Sequence, residues 1–343
     1  MLSSYVYQEI QENGPLSQAH FMELALEHPL YGYYRTQTAI AQDFITSPEV
    51  CQVFGELIAA WALDYYAKLG FPEKISLIEL GPGKGTLLSD FLRISEHSKT
   101  FSEALHIFLV ETNPLLKKLQ RQNINGSLIW SDRFSDLPLP SNPLIIIANE
   151  FLDTFPTHYY TRREHVLYER CISIQDDKLV FSFHKQGDNV GPNLSWEESP
   201  KTQSLINEIC TLLSKQNGVF LCIDYGYEKG EGDTLQALFQ GSHADPLSNI
   251  GKSDLTCHVD FGSVKKIALS HGVGVLGPIP QGQFLKNLGI DIRVETLKKK
   301  NPSHQASLEA AVTRLVHPQQ MGSLFKVMAL FSPPTLFPTG FEQ

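Results

Sequence analysis

The chain has 343 residues, 42% apolar and 19% charged, which is enough for a sizeable core and argues against global disorder. Its formal net charge of −9 argues against the basic footprint of a general nucleic-acid binder. Five scattered cysteines, none at CxxC spacing, argue against a disulfide framework or structural zinc and fit a reducing cytosol. In chain order, Ser17 is placed to cap a helix through Phe21, Leu24 and Leu26, ending at His28-Pro29. A tight aromatic loop, Tyr31-Gly32-Tyr33-Tyr34, follows. Ser47-Pro48-Glu49 reads as a helix start: a capping hydroxyl, a proline and an acid in the first turn. Val50, Val53, Phe54, Leu57, Ile58 and Trp61 continue it at helical spacing.

From Ile75 short apolar strands alternate with helices. The pattern predicts strands at 75–80, 106–110, 128–130, 144–148 and 219–223, with helices at 86–94 and 114–122. The continuous apolar run 144–148 suits a central parallel strand. Together these predict an α/β fold with a doubly wound parallel sheet. Alternating segments at 166–174 and 179–184 break the rhythm and read as inserted antiparallel strands. Residues 228–260 read as a long, Gly-rich polar connection. Helices at 281–288, 292–299 and 307–315 and a strand at 324–330 close the chain. The expected organisation is a helical N-terminal region, 1–74, covering the site, and a main domain, 75–343, with insertions at about 157–200 and 228–260. Residues 1–14 lack a leader pattern and no apolar run approaches a membrane span, so the expectation is a cytoplasmic protein.

Chemistry concentrates where the 75–80 strand turns into a helix, at Glu79-Leu80-Gly81-Pro82-Gly83-Lys84-Gly85-Thr86. Glycine lets the backbone bend sharply and approach a ligand, and the helix N-terminus adds unpaired amides. A dinucleotide fingerprint wants Gly or Ala where Thr86 stands, and an acid about 20 residues on. Here the acid closing the next strand is Glu111, 30 residues past Gly81. Such an acid can accept both hydroxyls of a ribose in either cofactor class. Its later position, with Glu79 on the first strand, favours adenosylmethionine. Asn149-Glu150 follow the fourth strand, where ligands bind in open α/β sheets. They can equally be a turn cap and a solvated acid.

The sequence resembles the MidA family, relatives of the mitochondrial complex I assembly methyltransferase. The resemblance spans nearly the whole chain. It is carried by His28-Pro29, Gly32-Tyr33-Tyr34, Asp43-Phe44-Ile45-Thr46-Ser47-Pro48-Glu49, Phe54-Gly55-Glu56 and the glycine turn. Later motifs are Ala148-Asn149-Glu150-Phe151-Leu152-Asp153, Ile223-Asp224-Tyr225-Gly226, Gly232-Asp233-Thr234-Leu235, Asp254-Leu255-Thr256, His258-Val259-Asp260-Phe261 and Gln281-Gly282-Gln283-Phe284-Leu285. Two positions depart: Gln42 replaces the usual Gly, and Leu152 a frequent Phe. The resemblance implies a Rossmann-like, seven-stranded class I methyltransferase sheet with an added antiparallel substrate region. It also implies S-adenosyl-L-methionine as cofactor, methylation of an arginine on a protein substrate, and Thr46, Ser47 and Pro48 over the cofactor.

The expected cofactor set is therefore Thr46, Ser47, Pro48, Glu79, Gly81, Pro82, Gly83, Gly85, Thr86, Glu111, Asn149 and Glu150. For the acceptor, a carboxylate gripping guanidinium N–H groups would concentrate electron density on the attacking nitrogen. Glu150 is the first candidate and Asp153 the second. Asp224 is a candidate with a structural alternative, closing its strand; His258 stays open as a proton relay, and Asp260 reads as a helix cap. His243, Cys257 and His258 have no metal spacing, and no metal is expected. A homodimer is compatible with the sequence. Three other functions stay in play: a cofactor-binding assembly factor with little turnover, a methyltransferase with a small-molecule acceptor, and a nicotinamide dehydrogenase.

Overall fold

The structure, a computed structural model, describes residues 2–36, 46–188, 191–230 and 232–342. Gln42 and the motif residues Asp43, Phe44 and Ile45 lie outside the described residues. The chain folds as two compact units. One comprises Met1–Phe44, Leu152–Ser204 and Tyr227–Gly262; the other comprises Ile45–Phe151, Leu205–Gly226 and Ser263–Gln343. This division differs from a boundary at residue 74: the Gln52–Lys68 helix belongs with the sheet-bearing unit. Its Val53, Phe54, Leu57, Ile58 and Trp61 share a core cluster with the central strands, so packing rather than chain order decides the assignment.

The sheet-bearing unit has strands β1 (Ile75–Leu80), β2 (Leu105–Val110), β3 (Leu128–Ser131), β4 (Leu144–Asn149), β5 (Gly218–Tyr227), β6 (Gly274–Pro280) and β7 (Phe325–Ser332). Their order is β6-β7-β5-β4-β1-β2-β3. From β5 to β3 all pairings are parallel. β7, however, runs antiparallel to both β5 and β6, so the sheet is mixed rather than parallel throughout. Composition marks a buried strand but not its direction, and Val327, Met328, Ala329 and Leu330 read alike either way. β1 and β4 are apolar and buried almost throughout, so both faces of the sheet are covered. Parallel β1 and β4 end side by side, with Leu80 opposite Ala148, which brings Glu79 and Asn149 to one edge.

Ahead of β1 the expected continuous helix is broken. Ser47–Val50 is a separate turn whose N-cap is Thr46, not Ser47, and Cys51 is extended (φ −160°, ψ 132°) before Gln52–Lys68 begins.

The other unit opens with a helix, Leu2–Asn13. The next, Gln18–Glu27, is capped as expected: Ser17 Oγ accepts from His20 N at 3.1 Å. Leu16, Phe21, Met22 and Leu26 pack on Ile172 in this unit's own core. Strands His158–Arg163, Val166–Gln175, Lys178–Asp188 and Leu194–Glu198 pair antiparallel. Residues 228–260, expected as a loop, contain a three-stranded antiparallel sheet of short strands, Gln236–Phe239, Ser242–Ala244 and Asp254–Thr256. Strands of three or four residues are too short to show a period. Leu152 is buried, as its apolar replacement requires.

Candidate cofactor site

The turn after β1 is built by three glycines with left-handed backbone: Gly81 at φ 63°, Gly83 at φ 53° and Gly85 at φ 81°. Gly81 N–H donates to Val110 O at 3.0 Å, tying the turn to β2, and Gly85 N–H donates to Pro82 O at 2.7 Å. Gly85 is the N-cap of Thr86–Ser95, so the amides of Thr86 and its neighbours end the helix at the turn. The three glycines are not equivalent. A Cβ on Gly81 would lie 2.5 Å from the Phe151 ring and one on Gly85 2.6 Å from Ile124, whereas one on Gly83 would meet nothing within 4 Å among the described residues. Two glycines admit neighbouring side chains; only Gly83 opens onto space a ligand could fill.

Glu79 is 4% exposed, and its Oε2 has no hydrogen-bond partner among the described residues. Burial pushes its carboxyl up to about 8. A buried acid without a partner is unfavourable alone and suits a ligand's ammonium group. Glu111 closes β2, its N–H bonded to Ser131 O at 3.0 Å. Its Oε1 accepts from Asn113 N at 2.8 Å and its Oε2 from Gln120 Nε2 at 3.3 Å. Burial raises the Glu111 pKa, against the pull of Asn113 N–H, Gln120, Thr112 N–H and Lys117. Each oxygen retains acceptor capacity, as a vicinal diol needs.

At the end of β4, Asn149 is partly buried and its Oδ1 has no partner among the described residues. Glu150 follows in left-handed backbone, φ 51°, unusual for a side chain with a Cβ. Its N–H donates to Ile223 O at 2.9 Å, which fixes the bend. Its Oε1 accepts from Ser47 N at 2.9 Å and Asn149 Nδ2 at 3.2 Å. Glu150 therefore holds the Ser47–Val50 turn at this strand end, with Ser47 and Pro48 buried and Thr46 partly so. Ser47 Oγ also meets Gln281 Oε1 at 3.4 Å, and buried Gln281 donates to Leu315 O at 3.0 Å. Asp224, at the end of β5, accepts from Phe151 N at 3.2 Å and Tyr225 N at 2.9 Å, the bracing arrangement weighed as its structural alternative.

The remaining candidates belong to the other unit. Asp153 is buried and its main-chain oxygen accepts from Cys257 N at 2.9 Å. His258 N–H donates to Thr234 Oγ1 at 2.8 Å, and Thr234 in turn gives its N–H (2.8 Å) and hydroxyl (2.6 Å) to buried Glu197. Asp260 ends the short Val259–Asp260 strand before the Phe261–Ser270 helix. Among the described residues, no three His, Cys, Asp or Glu side chains gather as a metal would require, and no helix is long and apolar enough to cross a membrane. Sequence reading missed Gln120, a buried glutamine touching both the glycine turn and Glu111. The available signal was its place one helical turn after buried Leu116.

The chain is similar to known proteins over most of its length. Residues 57–279 match the family described as "Putative S-adenosyl-L-methionine-dependent methyltransferase". The mitochondrial protein arginine methyltransferase NDUFAF7 of Rattus norvegicus is 31% identical over 96% of this chain and 84% of its own. Its Danio rerio counterpart is 30% identical over 96% and 86%. A crystal structure of a Burkholderia thailandensis protein bound to S-adenosyl-homocysteine covers 100% of this chain and 92% of its own, with TM-score 0.81 and 22% identity. At that identity the likeness speaks for the fold, an α/β fold with a mixed sheet. The cytoplasmic expectation is overturned here, because these relatives, matched over 96% of the chain, are mitochondrial proteins. It rested on the absence of a leader pattern, which does not fix a compartment.

Proposed function

Because the chain belongs to this family and is an S-adenosyl-L-methionine-dependent methyltransferase, we propose that it methylates arginine on a protein substrate. Support comes from relatives of that named activity matching 96% of the chain. We further propose a class I seven-stranded methyltransferase sheet, with the antiparallel strands of 157–200 as the substrate region.

In this reading the turn Gly81-Pro82-Gly83, with Gly85 and Thr86 behind it, receives the cofactor's aminoacyl end, and Glu79 Oε2 takes its ammonium. Glu111 takes the ribose hydroxyls. Asn149 Oδ1 offers a further acceptor, and Thr46, Ser47 and Pro48 cover the cofactor. When bound, S-adenosylmethionine supplies a methyl group already activated by its sulfonium. The protein must then align the acceptor nitrogen and exclude water. An arginine side chain enters protonated, its lone pairs delocalised. We assign Glu150 first, and Asp153 second, the task of gripping two guanidinium N–H groups, which localises density on the third nitrogen and offsets positive charge. Methyl transfer would leave the S–C bonding pair on sulfur and one excess proton on the methylated guanidinium, which a nearby base would have to take. Asp224 braces the β4 and β5 ends, and His258 is held ready as the relay for that proton.

The test is transfer of a tritiated methyl from S-adenosylmethionine into lysate protein, with mass spectrometry of the modified residue. Label on arginine with wild type, lost in Glu150→Gln even at saturating S-adenosylmethionine, is expected. Cofactor binding with no labelled protein would favour the assembly-factor reading, and label in small molecules a different acceptor.

A further inference from the structure

Resting on the cofactor site proposed above, we infer that Gln120 is a positioning residue that locks the glycine turn to the ribose-binding acid before the methyl donor arrives. Gln120 is fully buried on the Pro114–Asn123 helix. Its Nε2 donates to Gly83 O at 2.7 Å and to Glu111 Oε2 at 3.3 Å. Its Oε1 accepts from Trp130 Nε1 at 2.8 Å. An indole N–H can only donate, so Trp130 dictates which end of the amide is oxygen and leaves both N–H groups for Gly83 and Glu111. The Arg121 guanidinium lies 4.6 Å from the Trp130 ring centroid and helps hold the indole. Asn123 Nδ2, on the same helix, adds a bond to Lys84 O at 3.0 Å.

One side chain therefore joins three elements: the turn after β1, the acid closing β2 and the indole on β3. The turn contains Gly83 in left-handed backbone, with no described atom within 4 Å of where a Cβ would stand. Fixing its carbonyl from behind keeps its other face for the ligand. Fixing Glu111 Oε2 aims the remaining lone pairs of that carboxylate at a diol. A site ordered in advance loses less freedom on binding.

The experiment is calorimetric titration of the full chain with S-adenosylmethionine and with S-adenosylhomocysteine. It compares wild type, Gln120→Met, Trp130→Phe, the double variant and Glu111→Ala. Gln120→Met is expected to weaken both ligands about tenfold, because one lost bond reaches a charged oxygen. Trp130→Phe is expected to weaken them about threefold, a neutral bond's worth. The double variant should bind no more weakly than Gln120→Met, since the indole acts only through the amide; two unrelated structural losses would multiply instead. Gln120→Met binding as wild type does, an unchanged Trp130→Phe, or multiplied losses would overturn the inference. If Gln120→Met does not fold, Trp130→Phe still decides. Glu111→Ala separates the two levels: full affinity there would sink the cofactor site itself, whereas lost affinity beside a normal Gln120→Met would sink the lock alone.

Discussion

Two buried glutamates in the same unit are treated in opposite ways. Glu56, on the Gln52–Lys68 helix and 2% exposed, is gripped by Arg293 Nε at 2.6 Å and Nη2 at 3.0 Å and by Arg93 Nη1 at 2.8 Å. Burial opposes its ionisation, but the two guanidinium groups outweigh that and hold its pKa below the ordinary range. Among the described residues, Glu79, on β1 and about as buried, has no arginine, and one of its oxygens has no partner. Its pKa is displaced the other way. A buried carboxylate already neutralised serves the scaffold; one left uncompensated at the end of a central strand is the observation on which the proposed cofactor site rests.

The largest effect sharpens the ligand side. Gly83→Val should abolish S-adenosylmethionine binding, because its side chain fills the space the turn leaves open. Its unfolding midpoint should fall only by the strain of a left-handed valine, on the order of 1–2 kcal/mol. Retained affinity in calorimetry would remove Gly83 from the site. Glu56→Ala should do the reverse. It should lower stability by about 3 kcal/mol in denaturant titration, since two guanidinium groups lose their counter-charge, yet leave affinity within about twofold. That stability depends on pH with a definite sign. A depressed acid stabilises the fold above its unfolded value of 4.5 and loses this as pH falls through its lower folded pKa. Wild type should thus lose stability in acid more steeply than Glu56→Ala.

Glu79→Gln divides the comparison more finely. A raised acid contributes stability that is complete below 4.5 and lost as pH climbs towards about 8. Without cofactor, Glu79→Gln should therefore be more stable than wild type at pH 9, read by thermal melting. It should also bind S-adenosylmethionine about tenfold more weakly, for want of a charged acceptor. A variant that is less stable at pH 9 and binds normally would make Glu79 scaffold, like Glu56. The smallest effect on affinity lies in the other unit. Thr234→Val removes the hydroxyl bond to Glu197 and the acceptor of His258 N–H, and should lower stability by about 2 kcal/mol, with affinity unchanged.

How far the sequence foretold this follows from what leaves a pattern. The apolar runs of β1, β4 and β5 can only be buried strands, and three glycines between β1 and a helix can only be a sharp bend. Glu111 is legible as the acid that follows the second apolar strand. The break at Cys51 was hidden because Val50, Val53 and Phe54 keep helical spacing across it. The direction of β7 was hidden because an antiparallel strand buried on both faces has the composition of a parallel one. Gln120 was hidden for a different reason. A glutamine in an amphipathic helix reads as surface until Gly83, Glu111 and Trp130, from three other elements, are folded against it. The unpartnered oxygen of Glu79 belongs to the same class: the acid is visible in the sequence, its lack of an arginine is not.

The most direct measurement is a crystal structure of the chain with S-adenosylhomocysteine. The account predicts the amino group within hydrogen-bond distance of Glu79 Oε2, the ribose hydroxyls on Glu111 and the ligand against the backbone of Gly83. An amino group paired elsewhere while Glu79 Oε2 stays without a partner, or a ribose held away from Glu111, would contradict it.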